Sequence, residues 1–225
     1  QQPSLLSLLV SSTETSPTHH QSSQKAIIYL PEIKASSLKP FSVQNSITPA
    51  SIFDAAWAQT LSAYTHSPNV TFEYVVSGRD EDVPGVFDIV GPLINVLPYH
   101  IADVSREGGP EQLAHLAQVM QQQRDEDSAH TSSNRRPTAV ETEMLRMDDD
   151  LRKSRDPWHF EVLIRVMHIT DDDTFKPSFE FDPLFFDRDG MVEVAEDFWG
   201  RVEAIVASAV NKSSQVKSGA KLDLT

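Results

Sequence analysis

Apolar and polar positions follow different periods in different parts of the chain. From Val70 to Ser77 (VTFEYVVS), Val70, Phe72, Tyr74 and Val76 take every second place, with Thr71 and Glu73 between them. That period of two predicts a strand with one buried face. Phe53, Ala56, Trp57, Leu61 and Tyr64 instead recur at spacings of three and four, which predicts a buried amphipathic helix. Thr48 stands before it as an N-cap, and Pro49 occupies the first helical position, where its missing N–H costs nothing. The His66-Ser67-Pro68-Asn69 turn closes it. Pro110 opens another helix through about Arg124, with Leu113, Leu116, Ala117 and Met120 as its stripe. Val194, Phe198, Trp199, Val202, Ile205 and Val206 mark a last one.

Further β-like runs are Lys25 to Ile33, closed by Pro31 and suited to a sheet edge, Leu93 to Ile101, interrupted by Pro98, Phe160 to Ile169, and Ser178 to Phe181. Polar segments separate these elements. Residues 11–24 are rich in Ser, Thr and Gln, residues 78–91 are charged and punctuated by Gly and Pro, and residues 124–136 read as a charged connection. Residues 211–225 read as a linker. Strands and helices alternate irregularly, and the strands are too few for a sandwich. The expected class is a layered α/β domain.

Charge narrows the function. With 19 Lys+Arg against 33 Asp+Glu, the 225-residue chain carries a formal net charge of −14. Phosphate backbones and anionic lipid repel such a polyanion, so neither a nucleic-acid nor a membrane-surface role is expected. There is no cysteine, which excludes disulfides, thiolate metal sites and a Cys nucleophile. Leu5, Leu6, Leu8 and Leu9 lack a basic segment before them, and no apolar run approaches the roughly 20 residues of a membrane span. These features lead us to expect a soluble cytoplasmic protein.

Four groups of residues invite a chemical reading. His19-His20 lies in the Ser/Thr-rich loop with no acidic residue close behind it. Asp148-Asp149-Asp150 and Asp171-Asp172-Asp173 sit on expected turns, where carboxylates are solvated rather than converged on a metal. Asp187-Arg188-Asp189-Gly190 opens like a calcium loop but lacks the later Glu, and is better placed to cap the final helix. No metal site and no catalytic residue is assigned among these. The fourth group is Ser77-Gly78-Arg79-Asp80, directly after a strand, with Gly91-Pro92-Leu93-Ile94-Asn95 opening the next. Glycines at both places permit close backbone approach, and Asn95 brings an amide that both donates and accepts. Ordinary strand–turn–strand punctuation would give the same pattern.

The stretches TPASIFDAAWAQTLSAYT and VSGRDEDVPGVFDIVGPLINVLPYH resemble the C-terminal half of a nonribosomal peptide synthetase condensation domain. Gly78-Arg79-Asp80 and Gly91-Pro92, Asn95 and Leu97-Pro98 match the family's late motifs in order and spacing, with phrasing similar to fungal synthetases. Phe179-Glu180-Phe181-Asp182 and the final helix resemble its closing strand and helix. The resemblance implies a single chloramphenicol-acetyltransferase-like lobe, a mixed sheet packed with helices, over residues 25–210. Residues 1–24 would then form an inter-lobe connection and residues 211–225 a linker.

In that family two lobes form a V. A donor thioester on one carrier domain meets the acceptor amine on another in the tunnel between them. The resemblance implies that Ser77, Gly78, Arg79, Gly91 and Asn95 line that tunnel and position the carrier arm. Phosphopantetheine would be presented by partner carrier domains, with no cofactor bound directly. The expected partners are an N-terminal lobe, carrier domains and an adenylation domain in the same synthetase. The family's HHxxxDG histidine has no counterpart here, since His19-His20 is followed by Gln21-Ser22-Ser23-Gln24-Lys25. Many family members also carry Arg where His100 stands. A non-catalytic carrier-binding module and a lobe of a related acyltransferase are the alternatives. A single lobe should leave apolar surface or a sheet edge uncovered, so self-association is expected.

Overall fold

The computed structural model describes residues 25–77, 84–91, 94–104, 108–134 and 162–219. Among the described residues there are six strands: β1 (Ala26–Tyr29), β2 (Ile33–Lys34), β3 (Val70–Ser77), β4 (Ile94–Ile101), β5 (Val162–Ile169) and β6 (Thr174–Phe181). Four helices accompany them: α1 (Ala35–Asn45), α2 (Pro49–Thr65), α3 (Pro110–Asn134) and α4 (Arg188–Gly219). The α/β class is as expected. Every strand pairing among the described residues is antiparallel, however, so the expected mixed sheet is corrected in that respect. Consecutive β5 and β6 are joined by a short turn, which permits only antiparallel pairing.

The larger sheet is built around β6. β5 pairs along its whole length on one side, while β1 and β2 share the other. Two prolines explain that division. Pro31 separates β1 from β2, and opposite the gap lies Pro177, whose carbonyl accepts from Leu30 N at 3.1 Å. A residue's N and O point to the same side of a strand. The donor that Pro177 lacks would therefore face the broken edge, and the ladder to β5 is untouched.

α2 and α4 cover one face of this sheet. Phe53 meets Phe175 edge-on, Trp57 meets Phe179, and Phe179 meets Phe198 of α4. Thr48 caps α2 by accepting from Ser51 N, with Pro49 at the first position. α2 is buried beyond its apolar stripe. Ser51, Gln59, Thr60 and Ser62 are all enclosed, as befits a helix packed between α3, α4 and strands. Their polar atoms find partners: Thr60 donates to Ala56 O, Ser51 to Gln121 Oε1, and Ser62 to Ser67 O and Val104 O, while Gln59 accepts from Arg201.

β3 and β4 form a separate two-stranded hairpin whose inner face joins the same core through Val70, Tyr74, Leu97, Tyr99 and Ile101. β4 continues through Pro98 rather than stopping there, because Pro98 turns its carbonyl away from β3 towards Gln123 of α3. Helix lengths also depart from expectation. α1 has no counterpart in the sequence reading, and α3 runs on to Asn134 through the segment read as a connection. The apolar stripe ends near Arg124, but no Pro or Gly follows to stop the helix, and Gln121–Asp125 and Gln122–Glu126 hydrogen bonds support its next turn. α4 likewise continues through residues 211–219, which composition marked as linker, and ends at Gly219.

One glycine is required by packing. A Cβ on Gly108 would stand 2.4 Å from Gln59 Nε2 and 2.9 Å from Gln112 Cβ. Gln59 is buried and accepts from Arg201 Nη1, so it has no solvent to swing into. Gly108→Ala should lower stability by about 1–3 kcal/mol, read as a lower denaturation midpoint at unchanged slope. An unchanged midpoint would mean that the glutamine repacks freely.

Candidate functional site

Ser77, just before one motif, and Asn95, within the other, stand at the same end of the hairpin. Register places Ser77 opposite Ile94 and Val76 opposite Asn95, so Ser77 and Asn95 stand on adjacent rungs. Gly78 and Arg79 lie outside the described residues. Gly91 has φ of 139°, a backbone state that L side chains rarely adopt, and is open to solvent. Gly85, at φ 78°, begins the short 3-10 turn Val86–Asp88, whose Val86 is buried. Ile89 and Val90 beyond it are exposed, Val90 completely.

The remaining sequence candidates are dispersed. His19-His20 and Asp148-Asp149-Asp150 lie outside the described residues. Asp171, Asp172 and Asp173 form the exposed β5–β6 turn, and Asp187 caps α4 by accepting from Gly190 N at 3.1 Å. His100 is exposed and shares a 2.8 Å hydrogen bond with Thr71. A depression of about 430 Å³ lies between residues 108–110 and residues 196–201 of α4, and Gly91 is not among its described lining residues. Among the described residues no three His, Asp or Glu side chains are grouped as metal ligands. No helix among them is long and apolar enough to cross a membrane.

A polar cluster beneath the hairpin was not legible in the sequence. Arg124 on α3 pairs through Nη2 with Asp54 on α2, and its Nε donates to Tyr99 Oη at 3.1 Å. Its guanidinium also lies 4.6 Å from the centre of the Tyr74 ring. Tyr74 and Tyr99 stack with centroids 4.0 Å apart and planes 20° from parallel, so one cation holds both strands. The Tyr99 hydroxyl donates to Asp54 Oδ2 at 3.3 Å. Burial, with the Asp54 charge beside it, raises the Tyr99 phenol well above its ordinary range. Burial also holds the Asp54 carboxyl above its usual value, against the pull of Arg124. An acid raised in this way contributes stability only as pH falls through its folded pKa. Ionising Asp54 is therefore costlier in the folded chain than in the unfolded one. The only sequence cues were a carboxylate inside an apolar helix and an arginine at the end of a stripe.

Comparison with known proteins gives this geometry its context. A family model described as the condensation domain matches residues 2–133. Nonribosomal peptide synthetase 8 of Aspergillus fumigatus is 45% identical over 65 residues, 29% of this chain and 1% of that protein. Nonribosomal peptide synthetase ungA' of Aspergillus campestris is 48% identical over 81 residues, 35% of this chain and 1% of that protein. This chain therefore spans a very small part of the synthetases it matches. Among solved structures, the EpoB cyclization-docking bidomain from Sorangium cellulosum superposes with a TM-score of 0.58 at 13% identity, covering 85% of this chain and 44% of that one. The epimerization domain from the third module of tyrocidine synthetase B gives 0.57 at 11%, covering 90% and 54%. At such identities the likeness establishes the fold, and the coverage corresponds to about half of each solved chain. The family match extends over more than half of this sequence and includes the whole β3–β4 hairpin, so the chain belongs to the condensation-domain family.

Proposed function

We propose that residues 25–210 act as one lobe of a condensation domain in a fungal nonribosomal peptide synthetase. There it helps to form amide bonds between carrier-tethered acyl or aminoacyl thioesters. The observation that supports this most is the hairpin register, which sets Ser77, the residue before the Gly78-Arg79-Asp80 motif, on the rung next to Asn95 of the second motif. In the reaction the acceptor amine attacks the donor thioester carbonyl, a C–N bond forms and the C–S bond breaks. The donor's phosphopantetheine thiol leaves with the proton that the amine gives up. The chain's own part is positional. Ser77, Gly78, Arg79, Gly91 and Asn95 hold the carrier arm at the tunnel, while the family's catalytic histidine would come from the N-terminal lobe.

Holding two tethered reactants in line supplies much of the rate acceleration, and small misplacements are costly. Asn95→Ala and Gly91→Ala in the intact synthetase should each slow amide-bond formation by about 10- to 100-fold. For Gly91 the cause would be strain, since alanine at φ 139° forces the loop to move. The reaction is followed as mass transferred to the acceptor carrier. Wild-type rates in both variants would remove these residues from the site. Carrier domains, the adenylation domain and the cytoplasm are the partners and setting that this reading brings with it.

A further inference from the structure

The connection between β3 and β4 spans residues 78–93. A two-residue turn fixes the register of a hairpin, but a connection of this length does not. A two-stranded sheet is also marginal without packing beneath it. The register at Ser77 and Asn95 must therefore come from side-chain contacts further down the strands. Tyr74 stands three residues before Ser77, and Leu97, its partner in register, two residues after Asn95. The contacts around Arg124 thus lie roughly 10 Å from the hairpin end.

We infer that Arg124 is a positioning residue: by engaging Tyr74 of β3, Tyr99 of β4 and Asp54 of α2 together, it fixes the hairpin end where Ser77 and Asn95 stand on adjacent rungs. Its shape suits the task. The guanidinium carbon lies over the Tyr74 ring, while Nε reaches the Tyr99 hydroxyl and Nη2 reaches Asp54. A lysine ammonium has the charge but neither the planar face nor the fork. The adjacent Gln123 reaches Pro98 O at 3.4 Å, so consecutive residues of α3 hold β4. Sliding either strand by one residue would turn Tyr74 or Tyr99 to the opposite face and break the stack. The catalytic consequence rests on the proposed condensation role, whereas the structural part does not.

The test is Arg124→Lys, which keeps a cation facing Asp54, made in the intact polypeptide that contains this chain. Amide hydrogen exchange is read in β3 and β4, with β6 as internal reference. The rate of amide-bond formation is read at saturating loaded carrier. Exchange over residues 74–77 and 94–97 should quicken about tenfold or more while β6 stays within about twofold. The saturated rate should fall about tenfold, with little change in the carrier concentration giving half of it. An unchanged hairpin, or exchange rising equally in β6, would overturn the inference. So would a loosened hairpin with an unaltered rate. If the wild-type polypeptide forms no amide bond, the condensation reading fails, and the exchange measurement alone decides whether Arg124 sets the register.

Discussion

Phe179→Ala should destabilise the lobe by about 3–5 kcal/mol, among the largest losses a single core truncation gives. Phe179 is fully buried on the central strand β6, between Ile28 and Ile164 on the flanking strands. Its ring makes edge contacts with Trp57 of α2 and Phe198 of α4, so the cavity would open where sheet and helices join. Those three walls are held by their own strands and helices and can close only partly over the gap. Phe179→Leu, which fills most of the volume, should cost about 1–1.5 kcal/mol. Denaturant unfolding of both variants measures this. Equal midpoints for Ala and Leu would mean that the surrounding core collapses around the site.

The second large effect concerns the charge beneath the hairpin. Removing one member of a buried ion pair typically costs about 3–5 kcal/mol, because the other charge is left without compensation. The Asp54 and Arg124 side chains are 20% and 21% exposed, so Asp54→Leu should cost less, about 2–3 kcal/mol. Adding Arg124→Met should recover most of that loss, since an apolar pair of similar volume carries no desolvation cost. A double-mutant cycle on unfolding free energies gives the coupling directly. No recovery in the double variant would assign the loss to packing rather than charge. Recovered stability with a loosened hairpin would separate the pair's contribution to stability from its role in register.

What was legible in the sequence was whatever a local period or cap encodes. The Thr48-Pro49 start of α2, the alternation of β3 and the Asp187 cap of α4 were of this kind, and each element is where its pattern placed it. α1 was hidden for physical reasons. It has Pro40 inside it, no side-chain cap at Lys34 and no marked apolar stripe, and packs through Leu38 and Phe41. Pro98 read as an interruption because a sequence does not say which side of a strand has hydrogen bonds to lose. Motif spacing marked Ser77 and Asn95 as neighbours of turns, but only strand register puts them on adjacent rungs. The Arg124 cluster joins residues 25 to 70 positions apart through a ring face and a fork. No pattern within one element could announce it.

The most direct test is to purify the native polypeptide with an antibody against this chain, load its donor and acceptor carriers, and weigh the carrier-bound products by mass spectrometry. The condensation reading predicts that the acceptor carrier gains the donor acyl group and the donor carrier returns to its free thiol. Two thioesters that stay separate, on carriers that still bind, would contradict it and leave the lobe as a docking module.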